Sequence, residues 1–131
     1  MSDPRYRPCD WVLVPRDFGE QEDPRWEKRP EKAGDRARYD ASVLQHMVAL
    51  RVRYRTERAS MNWKAVAFAS GISYDRLVRV LHGQVVMRLE DVARLEEVLG
   101  PVLHIDRVSV RGYRKGRAER VGTVWPEAAG R

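Results

Sequence analysis

N-W-K-A-V-A-F-A-S-G-I-S-Y-D-R-L-V-R-V-L-H-G, residues 62–83, holds two short helices and the turn that joins them. Asn62 is an N-cap residue, and the helix after it has Trp63, Val66, Ala67 and Phe68 as its apolar side. Gly71 ends that helix, since glycine enters the left-handed region without a Cβ penalty. Ser73 caps the next helix, whose buried face is Leu77, Val80 and Leu81 and whose end is Gly83. Tyr74, Asp75, Arg76 and Arg79 fall on the side this core does not need. They are available to a partner.

Working outward, a helix is expected over Ala41–Arg58, with Asp40 or Ser42 as its N-cap. Its stripe is Val43, Met47, Leu50 and Tyr54, flanked by Leu44 and Val48. Arg51, Arg53, Arg55 and Arg58 crowd its last turns, where positive charge suits the helix dipole. A fourth helix runs over Leu89–Leu99 on Leu89, Val92, Ala93, Leu95, Val98 and Leu99, and Gly100-Pro101 stops it. Glu90-Asp91 and Glu96-Glu97 read as its first turn and exposed face.

The flanks are different. Residues 1–39 carry Pro4, Pro8, Pro15, Pro24 and Pro30, with one short apolar run, WVLV at 11–14. That run reads as an edge strand or an anchor, and residues 16–38 show no periodicity. The extension is therefore either a disordered tail or a segment docked through WVLV and Trp26. Beyond the fourth helix, residues 102–110 and 120–125 read as two strands of a hairpin around RGYRKGR at 111–117. The expected organisation is an extension over 1–39, a helical domain over 40–103 and a basic hairpin or tail over 104–131.

Charge narrows the partner. The 131-residue chain has a formal charge of +6 and a pI near 9.9, which favours an anionic partner such as nucleic acid. Residues 1–39 hold nine basic and nine acidic side chains, 40–103 nine and seven, and 104–131 seven and three. The excess thus lies towards the C-terminus. Cys9, the single cysteine, forms no intrachain disulfide and fits a reducing compartment. The first residues lack the apolar run of a signal peptide, and no apolar stretch is long enough to span a bilayer. A cytoplasmic protein with no membrane partner is expected.

Four short helices with a glycine-containing turn between the second and third make a helix-turn-helix pattern. Residues 62–83, followed by R-L-E-D-V-A-R-L-E-E-V-L-G at 88–100, resemble the Cro/repressor family, also called the xenobiotic-response-element family. The resemblance covers roughly residues 41–100. It implies a mainly α, compact four- to five-helix domain of lambda-repressor-like type, here with a C-terminal β-hairpin and an N-terminal extension. Two positions depart from the family. Trp63 stands where a phosphate-binding glutamine is usual, and Leu81 replaces a glutamate that pairs with an arginine of the first helix.

The resemblance implies a sequence-specific regulator, a repressor or similar switch, that lays the helix at 73–82 in the major groove of double-stranded DNA. Tyr74, Asp75, Arg76 and Arg79 are then the base-facing residues. Arg79 is the first choice to grip guanine O6 and N7, with Asp75 accepting from cytosine or holding Arg79 at i, i+4 spacing. Phosphate contacts are expected from Asn62, Trp63, Lys64, Ser73, His82, Gln84 and Arg88. Arg111, Arg114, Lys115 and Arg117 form a candidate basic arm. A homodimer is expected from the usual pairing of half-sites, through the fourth helix, the C-terminal strands or Val85-Val86-Met87.

Catalysis finds little in the sequence. His46, His82 and His104 are far apart and share no metal-ligand spacing with Cys9. No phosphate-cradling loop or nucleophile motif is present. Neither a cofactor nor a metal is expected. The alternative to a DNA-binding regulator is an antitoxin-like interaction module, whose N- or C-terminal extension wraps a toxin or another regulator.

Overall fold

A computed structural model of the chain describes residues 6–103. Four helices build it: α1 (Ala33–Arg58), α2 (Trp63–Ser70), α3 (Tyr74–Leu81) and α4 (Leu89–Leu99). Short 3-10 turns over Pro8–Trp11 and Pro15–Asp17 precede them. The described part is mainly α and holds no strand, only an isolated antiparallel bridge between Val12 and Trp26. The C-terminal β-hairpin expected over 104–131 lies outside the described residues.

The three short helices follow their sequence signals closely. Asn62 accepts the Ala65 N–H through its side chain at 2.8 Å and starts α2. Gly71 ends it at φ 79°, in the left-handed region. Ser73 then accepts the Arg76 N–H at 3.2 Å and starts α3. Gly83 follows α3 at φ 73°, and Gly100 stops α4 at φ 85°. These helices close on α1 around Val48, Ala49, Val52, Val66, Ala67, Ile72, Leu77, Leu81, Val92, Leu95 and Val102.

The first helix departs from its expected register and length. It starts at Ala33, eight residues before Ala41, after an extended Lys32 that makes no side-chain cap. Asp40 and Ser42 therefore cap nothing. Asp40 binds Arg29 on the surface, and Ser42 is buried against Tyr6 and the Arg38 carbonyl. The buried face consists of Ser42, Gln45, His46, Val48, Ala49, Val52 and Thr56. Leu44, Met47 and Tyr54 lie at 59%, 40% and 58% exposure. The reason is that α1 meets two partners, and Gln45 and His46 on its inner face bind their backbones.

The first partner is the helical core. The second is the N-terminal segment, which docks rather than trailing as a tail. Cys9, Val12 and Phe18 form a second buried cluster with Trp26 packed beside it. WVLV is not an edge strand, because its pairing stops at one isolated bridge, where the Leu13 N–H donates to the Arg25 carbonyl and the Glu27 N–H to the Trp11 carbonyl, and only Val12 of the run is buried. Trp11 and Trp26 set their rings edge-on to Tyr39 of α1 at 5.6 and 6.0 Å. At the other end, Arg51 and Arg55 of α1 donate to the Val102 and Leu99 carbonyls, tying down the chain after α4.

Two helix stripes are narrower than expected. Phe68 projects from α2 at 90% exposure, and Leu89 opens α4 at 81%. Ala93 is exposed as well, so α4 is buried through Val92, Leu95 and Asp91.

Candidate nucleic-acid interface

The N-termini of α2 and α3 come together on one face. Lys64 at the start of α2 places its Nζ 5.6 Å from the Tyr74 ring centre at the start of α3. Tyr74 and Asp75 are exposed, and Arg79 lies one turn on. Arg79 Nε sits 3.3 Å from the Asp75 carboxylate, both side chains more than half exposed. A pair in that setting contributes at most about 1 kcal/mol, so a competing acceptor exchanges for it readily. The opposite side of α3 is filled by Leu77, Val80 and Leu81, none above 1% exposure. One helix thus has an anchored face and a free one.

Arg76 does not join the free face. Its guanidinium makes two hydrogen bonds to Asp91 of α4, Nε to Oδ1 at 3.1 Å and Nη2 to Oδ2 at 2.6 Å. The Asp91 side chain is 7% exposed, that of Arg76 27%. Asp91 Oδ2 also accepts the Arg88 N–H at 2.8 Å, closing the first turn of α4. Burial pushes the Asp91 carboxyl up, but the bonds from Arg76 and the Arg88 backbone outweigh it, and the net shift is downward. Asp91 is therefore not part of an exposed acidic face. Arg76 ties α3 to α4.

The phosphate candidates separate in the same way. Lys64, Ser73, Gln84 and Arg88 are exposed near the ends of the helices. Asn62 is exposed, with its side-chain oxygen committed to the α2 cap. Trp63 is half-buried against the core, its ring covered by the Arg53 guanidinium at 5.0 Å and tilted on His82 at 5.6 Å. His82 bonds the Val78 carbonyl through Nδ1 at 3.0 Å and follows α3 as its C-cap. Arg111, Arg114, Lys115 and Arg117 lie outside the described residues.

One residue missing from the sequence reading holds the far end of α3. Gln45, 6% exposed on α1, donates Nε2 to the Val80 and Val85 carbonyls at 2.9 and 3.0 Å. Its Oε1 accepts the Met87 N–H at 2.8 Å. Three bonds from one amide fix the connector between α3 and α4. The available signal was an amide side chain one turn ahead of Ala49, on the face that turns out to be inner. Among the described residues, no cluster of three His, Cys, Asp or Glu is arranged to hold a metal, and no helix is long and apolar enough to cross a membrane.

No family model, curated protein or solved structure matches the chain.

Proposed function

We propose that the protein is a sequence-specific double-stranded DNA-binding regulator of helix-turn-helix type, reading the major groove with α3. The observation that carries this reading is the division of α3 into a fully buried apolar face and an exposed face of Tyr74, Asp75 and Arg79. Capped helix N-termini point backbone N–H groups outward, and anions such as phosphates are stabilised there. Lys64 beside Tyr74 adds a cation where the ends of α2 and α3 meet. Arg79 is the base-reading side chain, with two-pronged geometry suited to guanine and discrimination of roughly 1–3 kcal/mol. Arg76 acts through α4 and sets the pose of α3.

The antitoxin-like alternative has less to draw on at the N-terminus, because Val12, Phe18 and Trp26 already pack within this chain. Selection from random duplex DNA tests the proposal, with wild type and Arg79→Ala run in parallel. Enrichment of a defined site, relaxed at one position by Arg79→Ala, is expected. A palindromic site would add the homodimer. Binding that selects no sequence and vanishes steeply with salt would leave only a non-specific electrostatic role.

A further inference from the structure

Beneath the docked segment 8–26 lies a histidine that cannot accept a second proton without losing its bond. His46 of α1 is 3% exposed, and its Nδ1 accepts the Gly19 N–H at 2.9 Å. An imidazole nitrogen that accepts carries no proton, so the ring is neutral with its hydrogen on Nε2. That Nε2 is buried and makes no well-formed hydrogen bond, although the backbone of Gln21 and Glu22 lies close enough to the ring to favour its charged form. The rings of Phe18 and Trp26 stand edge-on to the imidazole at 5.4 and 5.5 Å. A proton added at Nδ1 would face the Gly19 N–H, donor against donor, and would place a cation in a poorly hydrated site.

Gly19 is also the point where the segment meets the end of α3. Its carbonyl accepts Arg53 Nε at 2.9 Å, and a Cβ on it would run into the Leu81 carbonyl. The Phe18 ring occupies the space where a Cβ on Gly83 would stand, 2.7 Å away. The Cys9 N–H donates to the Gly83 carbonyl at 2.9 Å. The charged groups beside this latch are Glu20 and Glu22 on the segment, which line one groove with Arg51, Arg53 and Glu57 of α1. Next to Gly19, α3 presents the backbone of Leu81, with uncharged Gly83 following.

We propose that residues 8–26 form an acid-released strap: protonation of His46 breaks the Gly19 contact and frees the strap from α1 and from the end of α3. This inference is independent of what α3 binds. Burial lowers the proton affinity of His46, and the backbone of Glu22 and Gln21 opposes that fall only in part. The sign follows directly. With the docked value below the ordinary 6.5, docking is fully favoured above that pH and weakens as pH drops below it.

Amide exchange of the full chain, expressed as protection factors between pH 7.5 and 5, tests the strap. Protection at Gly19 and Cys9 is expected to fall below pH 6.5 by up to about tenfold per pH unit, the limit for uptake of one proton. Val66 and Leu77, bonded within α2 and α3, should hold theirs. In His46→Gln the side-chain oxygen still accepts from Gly19 but does not titrate, so the fall should disappear. Flat protection in the wild type, or an equal fall in His46→Gln, overturns the proposal. Should that variant not fold, the imidazole of wild-type His46 is followed by NMR alongside the Gly19 amide. Loss of Gly19 protection that tracks protonation of the ring supports the strap, and protonation that leaves Gly19 protected refutes it.

Discussion

Arg76 of α3 and Asp91 of α4, fifteen positions apart, face each other through two hydrogen bonds, the shorter 2.6 Å. Removing one partner leaves the other charge partly buried and unmatched. Asp91→Asn is expected to lower unfolding free energy at neutral pH by about 1.5–3 kcal/mol, the range for hydrogen bonds to charged groups. The Asp91 carboxyl titrates below its usual 3.8, so this contribution is complete above that pH and is lost as pH falls through the depressed value. Urea unfolding at pH 7 and at successively lower pH checks this: the gap between wild type and variant should narrow as pH falls below 3.8.

Arg79→Ala and Arg76→Ala should therefore separate. Arg79 has only an exposed partner, so its loss is expected to change stability by less than about 0.5 kcal/mol. Arg76→Ala should cost stability through the broken pair. Measured side by side, thermal unfolding should move for Arg76→Ala alone, and base discrimination should relax at a single position for Arg79→Ala alone. A large stability loss in Arg79→Ala would mean its surface pairing is misjudged.

Gln45 gives a third prediction. Gln45→Leu keeps the volume but strands the Met87 N–H and the Val85 C=O, while the Val80 C=O still accepts the Gly83 N–H. Each buried polar group left unsatisfied costs about 1–3 kcal/mol, less where water enters. A loss of about 2–4 kcal/mol in denaturant unfolding is expected from these terms, together with faster amide exchange at Met87. Unchanged exchange there would show that the clasp is dispensable.

The two turn glycines should not be equivalent. A Cβ at Gly71 meets only the tip of the Arg94 side chain, so Gly71→Ala carries mainly the left-handed backbone cost of about 1–2 kcal/mol. At Gly83 the same backbone cost is joined by a clash with the Phe18 ring at 2.7 Å. Gly83→Ala should be the more destabilising of the two in thermal unfolding. It should also loosen Phe18, visible as altered ring shifts.

The short helices were legible because their instructions are local. Asn62, Gly71, Ser73 and Gly83 act within one turn of where they stand, and each occupies the position its chemistry suggested. The Asp75–Arg79 pair was legible for the same reason. The Arg76–Asp91 pair was not legible because the partner lies on the next helix, beyond the reach of helical spacing. The face of α1 was misread because polar residues are buried on it: Gln45 and His46 bond the backbone of other segments, while Ser42 and Thr56 bond carbonyls of their own helix. The docked segment has 3-10 turns and no period, so Val12, Phe18 and Trp26 gave no pattern to count.

At about 1.5 Å per residue, the 26-residue α1 is roughly 39 Å long, against about 12 Å for α2 or α3. It serves two cores at once, and that makes it a poor place to divide the chain. An expression fragment starting at residue 40 would begin inside α1, lose Asp40's partner Arg29, and lose the Phe18 and Trp26 rings that stand against His46. Such a fragment would retain every residue expected to touch DNA, yet expose His46 and Ala49 to solvent. Its failure to behave would then say nothing about α3.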